Sequence, residues 1–397
     1  MRILFHHRIA SRDGQAVHME EMIAALRREG HQVALVGPSQ GQDTEFGSEG
    51  GWVTAIRRAL PRAVTELLEL AYGAVAGGRL MAALLRHRPD AVYERYNLFS
   101  PAGVAIARLF GLPVLLEVNA PLAEEREKHG GLVWRRLARW TERITWRLAH
   151  RVLPVTQVLA DRVIAAGVPP RRIEVIANGV DPRRFAGIAS ARWARGLDGK
   201  LVIGFTGFLR PWHGLLHAVD LVARLRAEHP VHLLLVGDGP ARAEVEARAR
   251  ALGITADVTV TGIVGRDAIA PLVAAMDIAL QPDVTDYASP LKLFEYMVLG
   301  RAIVAPDTAN LREVLTDGRD GLLFRPGDPA SFAAAVEALC RDAALRRRLG
   351  EAASRTIHRR DFTWDGNARR VIGLIHQIRQ GQALLTCRKP DPESALP

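Results

Sequence analysis

The chain has 397 residues, too many for one ordinary hydrophobic core and suited to two domains of about 200 residues each. Apolar residues make up 48% and charged residues 24%, the balance of a globular rather than a disordered chain. The formal net charge of +10 admits nucleic acid, an anionic membrane or a phosphorylated small molecule as partner; zinc-finger spacings and aromatic RNA-binding motifs are missing, which argues against nucleic acid.

The start, Met-Arg-Ile-Leu-Phe-His-His, has no secretory pattern. The longest stretch without Asp, Glu, Lys or Arg, Gly30 to Gln42, is shorter than the about 20 residues a membrane-spanning helix needs. Cys340 and Cys387 are too few for a disulfide framework or a Cys-rich zinc site. These features point to a protein of the cytoplasm, including the inner face of the cell membrane. Only four basic residues are lysine, Lys128, Lys200, Lys292 and Lys389, so a lysine inside a motif is more informative than an arginine.

Arg2–Phe5 reads as a strand. A polar loop over 6–14 leads, with Asp13 as N-cap, to a helix on which Met19, Met22, Ile23 and Leu26 fall at i, i+3, i+4 and i+7. Gly30 ends it before a strand at Val33–Val36. Further strands are expected at Ala91–Tyr93, Pro113–Leu116, Val152–Val155 and Ile173–Ile176, and residues 178–198 break this rhythm and read as a linker. A second series follows at Leu201–Phe205, His232–Val236, Val258–Val260, Ile278–Leu280 and Ala302–Ala305. Strands alternating with helices mean right-handed βαβ units and parallel sheets. The expected architecture is α/β, two doubly wound Rossmann-like domains facing across a cleft. The first covers 1–185, a linker 186–200 and the second 201–362; a helix over 363–380 crosses back, and 381–397 is a tail. Ligands in such sheets bind outside the carboxyl ends of the strands.

Four loops of the second domain carry chemistry. Thr206-Gly-Phe-Leu-Arg-Pro-Trp-His-Gly214 offers close backbone amides and a forked guanidinium to a diphosphate, though a surface Arg in an ordinary turn reads the same way. Gly237-Asp-Gly-Pro240 reads as a tight turn before a helix, with Pro240 in its first turn. In Thr261-Gly-Ile-Val-Gly-Arg266, Ile263 or Val264 can pack on a nucleobase. The segment Asp286-Tyr-Ala-Ser-Pro-Leu-Lys-Leu-Phe-Glu-Tyr-Met297 starts a helix, with Ser289 as N-cap and Pro290 at N1, whose dipole favours an anion. Lys292 and Glu295 share one face, an arrangement that also fits a plain surface pair; Leu291, Phe294 and Met297 can face inward. Ser289-x-x-Lys292 also matches the serine motif of penicillin-binding enzymes, but neither Ser-Asp-Asn nor Lys-Thr-Gly follows, and that reading fails.

With these segments, Asp13-Gly-Gln-Ala-Val-His18 and Ile176-Ala-Asn-Gly-Val-Asp181, the chain resembles the family-4 retaining glycosyltransferases of the GT-B fold from residue 1 to about 380. The resemblance implies a nucleotide-sugar donor (UDP or GDP) held by the C-terminal domain and a glycan or lipid-linked acceptor held by the N-terminal one. It also implies retention of anomeric configuration and no required metal or cofactor, with which the absence of Asp-x-Asp agrees. Cell-envelope or exopolysaccharide assembly is the expected setting. Glu295 matches the second glutamate of the family's Glu-x7-Glu motif, which binds the donor ribose. The first falls at Tyr287, with Asp286 as its stand-in. The family's Arg and Lys after the first strand of the donor domain align with Phe208 and His213, so Arg210 and Lys292 become the catalytic candidates that neutralise the diphosphate. Gly14, His213, Ile263, Ser289, Pro290, Leu291 and Glu295 are the expected donor-binding residues. A histidine common near residue 118 is replaced by Glu117-Val-Asn-Ala120, leaving His18, Glu117 and Asn119 as acceptor-side candidates.

Between Trp134 and Arg151 six arginines face one acid, Glu142, with Trp134, Trp140 and Trp146 interleaved; residues 52–88 are also apolar and basic. Both fit contact with an anionic membrane, or a helix with core tryptophans and solvated arginines. Two other functions fit the same residues: a GT-B-fold sugar-nucleotide 2-epimerase, and a non-catalytic GT-B scaffold suggested by Tyr287. A dinucleotide-dependent dehydrogenase lacks its complete Gly-x-Gly-x-x-Gly in either domain.

Overall fold

The computed structural model describes residues 1–9, 14–38, 60–129, 131–192 and 195–387; Asp13, read as an N-cap, lies outside them. The chain forms two compact units. Unit 1 comprises Met1–Ala177 with Trp364–Pro397, and unit 2 comprises Asn178–Thr363.

Unit 1 runs β1 (Arg2–His6), α1 (Gly14–Arg28), β2 (Gln32–Val36), α2 (Arg62–His87), β3 (Ala91–Arg95), α3 (Ala102–Leu109), β4 (Val114–Val118), α4 (Leu122–His129), α5 (Arg135–Leu148), β5 (Arg151–Pro154) and α6 (Gln157–Ala165). Its five strands are parallel in the order β2-β1-β3-β4-β5. Strands β3 and β4 are buried along their whole length, as a parallel sheet covered on both faces requires. Residues 173–176, expected as a strand, make only a single bridge, Ile173 to Val152. Of the three tryptophans near α5, Trp146 is buried whereas Trp134 and Trp140 are exposed.

Unit 2 runs β6 (Leu201–Thr206), α7 (Leu215–Leu225), β7 (Val231–Val236), α8 (Arg242–Ala251), β8 (Val258–Val260), α9 (Arg266–Ala274), β9 (Ile278–Leu280), α10 (Leu291–Val298), β10 (Ala302–Pro306), α11 (Ala309–Arg312), β11 (Leu322–Phe324), α12 (Pro329–Arg341) and α13 (Ala343–Arg359). Six parallel strands lie in the order β11-β10-β9-β6-β7-β8. Strand β11 has no counterpart among the strands expected from the sequence. Residues 178–200, expected to close the first domain and form a linker, belong to unit 2. The Val180 amide donates to Phe362 O at 3.1 Å, the Ala191 amide to Pro271 O at 3.0 Å, and Arg192 pairs with Asp277. Pro240 precedes α8 by two residues instead of standing in its first turn.

The last helix, α14 (Trp364–Cys387), belongs to unit 1 and packs along α1. Asp365 pairs with Arg28 at 2.6 Å and Arg369 with Glu29 at 2.9 Å. The helix runs seven residues past the expected end at 380, into the segment read as a tail; residues 388–397 lie outside the described residues.

Candidate functional site

In a doubly wound sheet the ligand crevice opens where the strand order reverses, at the carboxyl ends of the strands. In unit 2 that point lies between β6 and β9. The chain leaving β6 continues beside the chain leaving β7: the Gly207 amide donates to Val236 O at 2.9 Å and the Leu209 amide to Asp238 O at 2.8 Å. Gly207 has φ +135° and Gly237 φ +138°, and a Cβ on Gly237 would strike the Gly207 carbonyl. Only glycine at both places lets the two backbones lie this close. The Gly-x-Gly here builds the floor of the loop.

His213 follows in a short 3₁₀ turn, buried against Phe205 and Trp212 with ring centroids at 5.1 and 4.1 Å. Burial, then the charges of Lys292 and Arg210, lower its pKa to about 3. The ring is therefore neutral at working pH. Its Nδ1 accepts the Arg210 amide at 3.3 Å, which puts the proton on Nε2. Arg210 is exposed, its guanidinium over the Phe208 ring at 5.0 Å.

Helix α10 brings the second set. It starts at Leu291 with Pro290 as N-cap and no side-chain cap. Ser289, expected as the cap, is buried and tied elsewhere: its Oγ accepts the Asn178 amide at 3.1 Å and its carbonyl accepts Asn178 Nδ2 at 2.6 Å. Asn310 Nδ2 donates to the carbonyls of Thr285 and Ala288 at 3.1 and 2.7 Å, fixing the loop ahead of the helix. Tyr296, fully buried, accepts the Thr206 amide at 2.8 Å and locks α10 to the end of β6. Phe294 and Met297 face inward as expected, while Leu291 is half-buried.

This anchoring delivers Lys292. Its Nζ lies 3.9 Å from the Phe205 ring centroid and 2.9 Å from where a Cβ on Gly207 would stand. Burial lowers its pKa to about 7, opposed by Glu295 three residues on. Arg210, His213 and Lys292 thus form one electrostatic group at the switch point. Ile263 is exposed on the loop after β8, which bridges back to the first glycine turn through Gly262 and Gly237. Gln281 Oε1, just past the end of β9, is buried with no partner in the described structure.

In unit 1 the strand order reverses between β1 and β3, and a buried charged cluster occupies that edge. Glu117, at the end of β4, accepts from Tyr93 Oη at 2.6 Å, from Arg95 at 2.5 Å, from His18 Nε2 at 3.0 Å and from Asn119. Burial alone would raise its pKa, but His18 and Arg95 hold it well below the usual carboxylate range. Beside it, His6 bonds to Glu94 at 3.0 Å; Glu94 holds the imidazole above its ordinary pKa in spite of burial. Of the acceptor-side candidates, His18 and Glu117 are therefore buried and paired with each other, His18 against the ring of Trp364 as well, and Asn119 is half-buried. Sequence reasoning missed Tyr93, Arg95, His6 and Glu94. Their signal was the polar end of otherwise apolar strands. Gly14 opens α1 and is exposed. Among the described residues no three His, Cys, Asp or Glu side chains are grouped as metal ligands would be.

Residues 200–342 match the family described as Glycosyl transferases group 1, and residues 12–184 match Glycosyltransferase Family 4. The 2-deoxystreptamine glucosyltransferase of Streptomyces kanamyceticus is 31% identical over 322 residues, 75% of this chain and 81% of that one. The GDP-mannose-dependent alpha-mannosyltransferase of Mycolicibacterium smegmatis is 28% identical over 374 residues, 90% of this chain and 92% of its own. HepE of Anabaena, solved in complex with UDP, superposes with a TM-score of 0.70 at 20% identity, covering 96% of this chain and all of the other.

Proposed function

We propose, for a chain that belongs to the group 1, family 4 glycosyltransferases, that it moves a sugar with retention of configuration from a UDP- or GDP-sugar to a glycan or lipid-linked acceptor, without a metal. The observation that carries this is the group of Arg210, His213 and Lys292 at the unit 2 switch point, beside a glycine floor that lets a ligand approach the backbone. Lysine from α10 stands next to the loop position where the family's lysine is replaced by His213. A diphosphate placed there meets an ammonium and a guanidinium beside a neutral imidazole.

In this reading Glu295 accepts the ribose hydroxyls, Ile263 packs on the base, and Ser289, Pro290 and Leu291 shape the entry to α10. Gln281 Oε1 lies buried past the end of β9 without a partner, and a sugar hydroxyl would satisfy it. The acceptor hydroxyl attacks the anomeric carbon from the side the diphosphate leaves. The carbon–oxygen bond to phosphate breaks, the new glycosidic bond forms, and the departing phosphate oxygen takes the acceptor proton. Lys292 and Arg210 neutralise that phosphate as charge builds on it. In unit 1, Glu117 holds His18 and Asn119 in place behind the acceptor surface.

Calorimetric titration with UDP and GDP, on wild type and Glu295→Ala, tests the donor site. One nucleotide is expected to bind wild type tightly and the variant at least tenfold more weakly. Binding of neither would overturn the reading and favour a scaffold.

A further inference from the structure

Helix α2 has 26 residues and extends about 39 Å at 1.5 Å per residue. It is long and apolar enough to cross a membrane by length and composition, contrary to the expectation from the sequence. One face is nonetheless committed to the fold: Gly73, Ala76, Gly77, Leu80 and Leu84 are buried against α3, β1 and β2. A Cβ on Gly73 would come within 2.8 Å of Phe99 O, so the helix sits close on its neighbours. A spanning orientation would tear that face from the sheet.

The opposite face is apolar and exposed. Val64, Leu67, Leu68, Val75, Met81 and Leu85 are each 40–63% exposed, in a stripe at helical spacing. The polar groups of α2 are sorted by sign. Its two acids turn inward: Glu66 is buried and accepts the amides of Val133 and Trp134, both at 2.8 Å, and Glu69 pairs with Arg126 at 2.6 Å. Arg62, Arg79 and Arg86 remain exposed. The surface continues onto α5 through Trp134, whose Nε1 donates to Ala63 O at 3.1 Å. There Trp134 and Trp140 are 43% and 56% exposed among exposed Arg136 and Arg143, while Glu142, the lone acid of that helix, is buried.

We infer that α2 lies in the plane of an anionic bilayer surface, its stripe among the acyl chains, with Trp134, Trp140 and the flanking arginines at headgroup level. A long apolar face whose own exposed charges, Arg62, Arg79 and Arg86, are all cationic and which is joined to exposed tryptophans is complementary to anionic headgroups over hydrocarbon. A second copy of the chain would place the same cations against each other. The contact centres on α2, within the apolar and basic residues 52–88, and extends to the helix over 135–148, the two segments that the sequence pointed to.

The test is cosedimentation of the full chain with phosphatidylglycerol vesicles and with phosphatidylcholine vesicles, with no sugar nucleotide present, so it stands or falls apart from the donor site. Wild type is expected to pellet with the anionic vesicles and to be released by high salt. Leu68→Glu with Val75→Glu, both at exposed positions, should lower the partition by about tenfold or more with an unchanged thermal melt. Equal pelleting of wild type and variant overturns the inference, as does the absence of pelleting with either vesicle. So does a dimer that light scattering shows the same substitutions to dissolve while lipid binding is absent.

Discussion

At the scale of one residue, Lys292 shows how placement converts a common side chain into a tuned one. On an exposed helix it would titrate near its ordinary value; beneath the Gly207 turn, burial brings it to about 7. The free protein therefore loses this cation as pH rises through 7. For the wild type, kcat/KM for the donor should fall on the alkaline side of about pH 7, and Lys292→Arg should remove that limb because a guanidinium stays charged. Lys292→Ala should reduce turnover by about a hundredfold while nucleoside affinity changes far less; equal losses would separate Lys292 from the leaving phosphate. The folded state binds fewer protons at this group than the unfolded chain between about 7 and 10.5, so its contribution to stability rises with pH across that window. Lys292→Met removes the desolvated ammonium and should raise Tm as it abolishes transfer, a result calorimetry can check. His213 is shifted in the same sense at the same spot, down to about 3 by burial and then by the charges of Lys292 and Arg210. Nitrogen-edited NMR at pH 5 should find its ring neutral with the proton on Nε2; a protonated ring would contradict the group's electrostatics.

At the scale of elements, the two sheets use their reversal points differently. In unit 2 the point is lined by backbone and a few polar side chains. In unit 1 it is filled by Glu117 and its four donors, drawn from α1, β3 and the end of β4. A carboxylate with this many donors fixes the relative positions of those elements, and its loss leaves Arg95 buried without its partner. Glu117→Gln should destabilise the protein by about 3–5 kcal/mol in a denaturant titration. A cost under about 1 kcal/mol would mean that the cluster admits water.

At the scale of the whole molecule, acid is the predicted weakness. Burial lowers His7, His150 and His232 to about 4 and His213 to about 3. Each binds fewer protons folded than unfolded from there up to 6.5, so stability falls as pH drops through that range. Glu117, held low when folded, adds to the loss below 4.5. Glu142, raised to about 7 by burial, and His6, raised by Glu94, act with the opposite sign, but they are fewer. Scanning calorimetry from pH 7.5 to 4 should show Tm declining steadily below 6.5; a flat profile would refute this balance.

The alternation of apolar runs with helical spacing was enough, from the sequence alone, to establish two parallel-sheet units and most of their strands, because a buried parallel strand is apolar throughout and a covering helix shows its period. The glycine turns and the segment around Lys292 and Glu295 were legible for the same local reason, and the structure brings Gly207, Gly237 and Lys292 together at the unit 2 switch point. What lacked a local signal came only from the tertiary structure. Ser289 looked like a helix cap, but its hydroxyl is claimed by Asn178, more than a hundred residues away in sequence. Residues 178–198 read as a linker, yet long-range hydrogen bonds fold them into unit 2. The partners of Glu117 are scattered over α1, β3 and β4, and only the sheet order brings them together. The outward face of α2 is as apolar as its inward one, so periodicity could not separate them; contact with the sheet decided which side stays free.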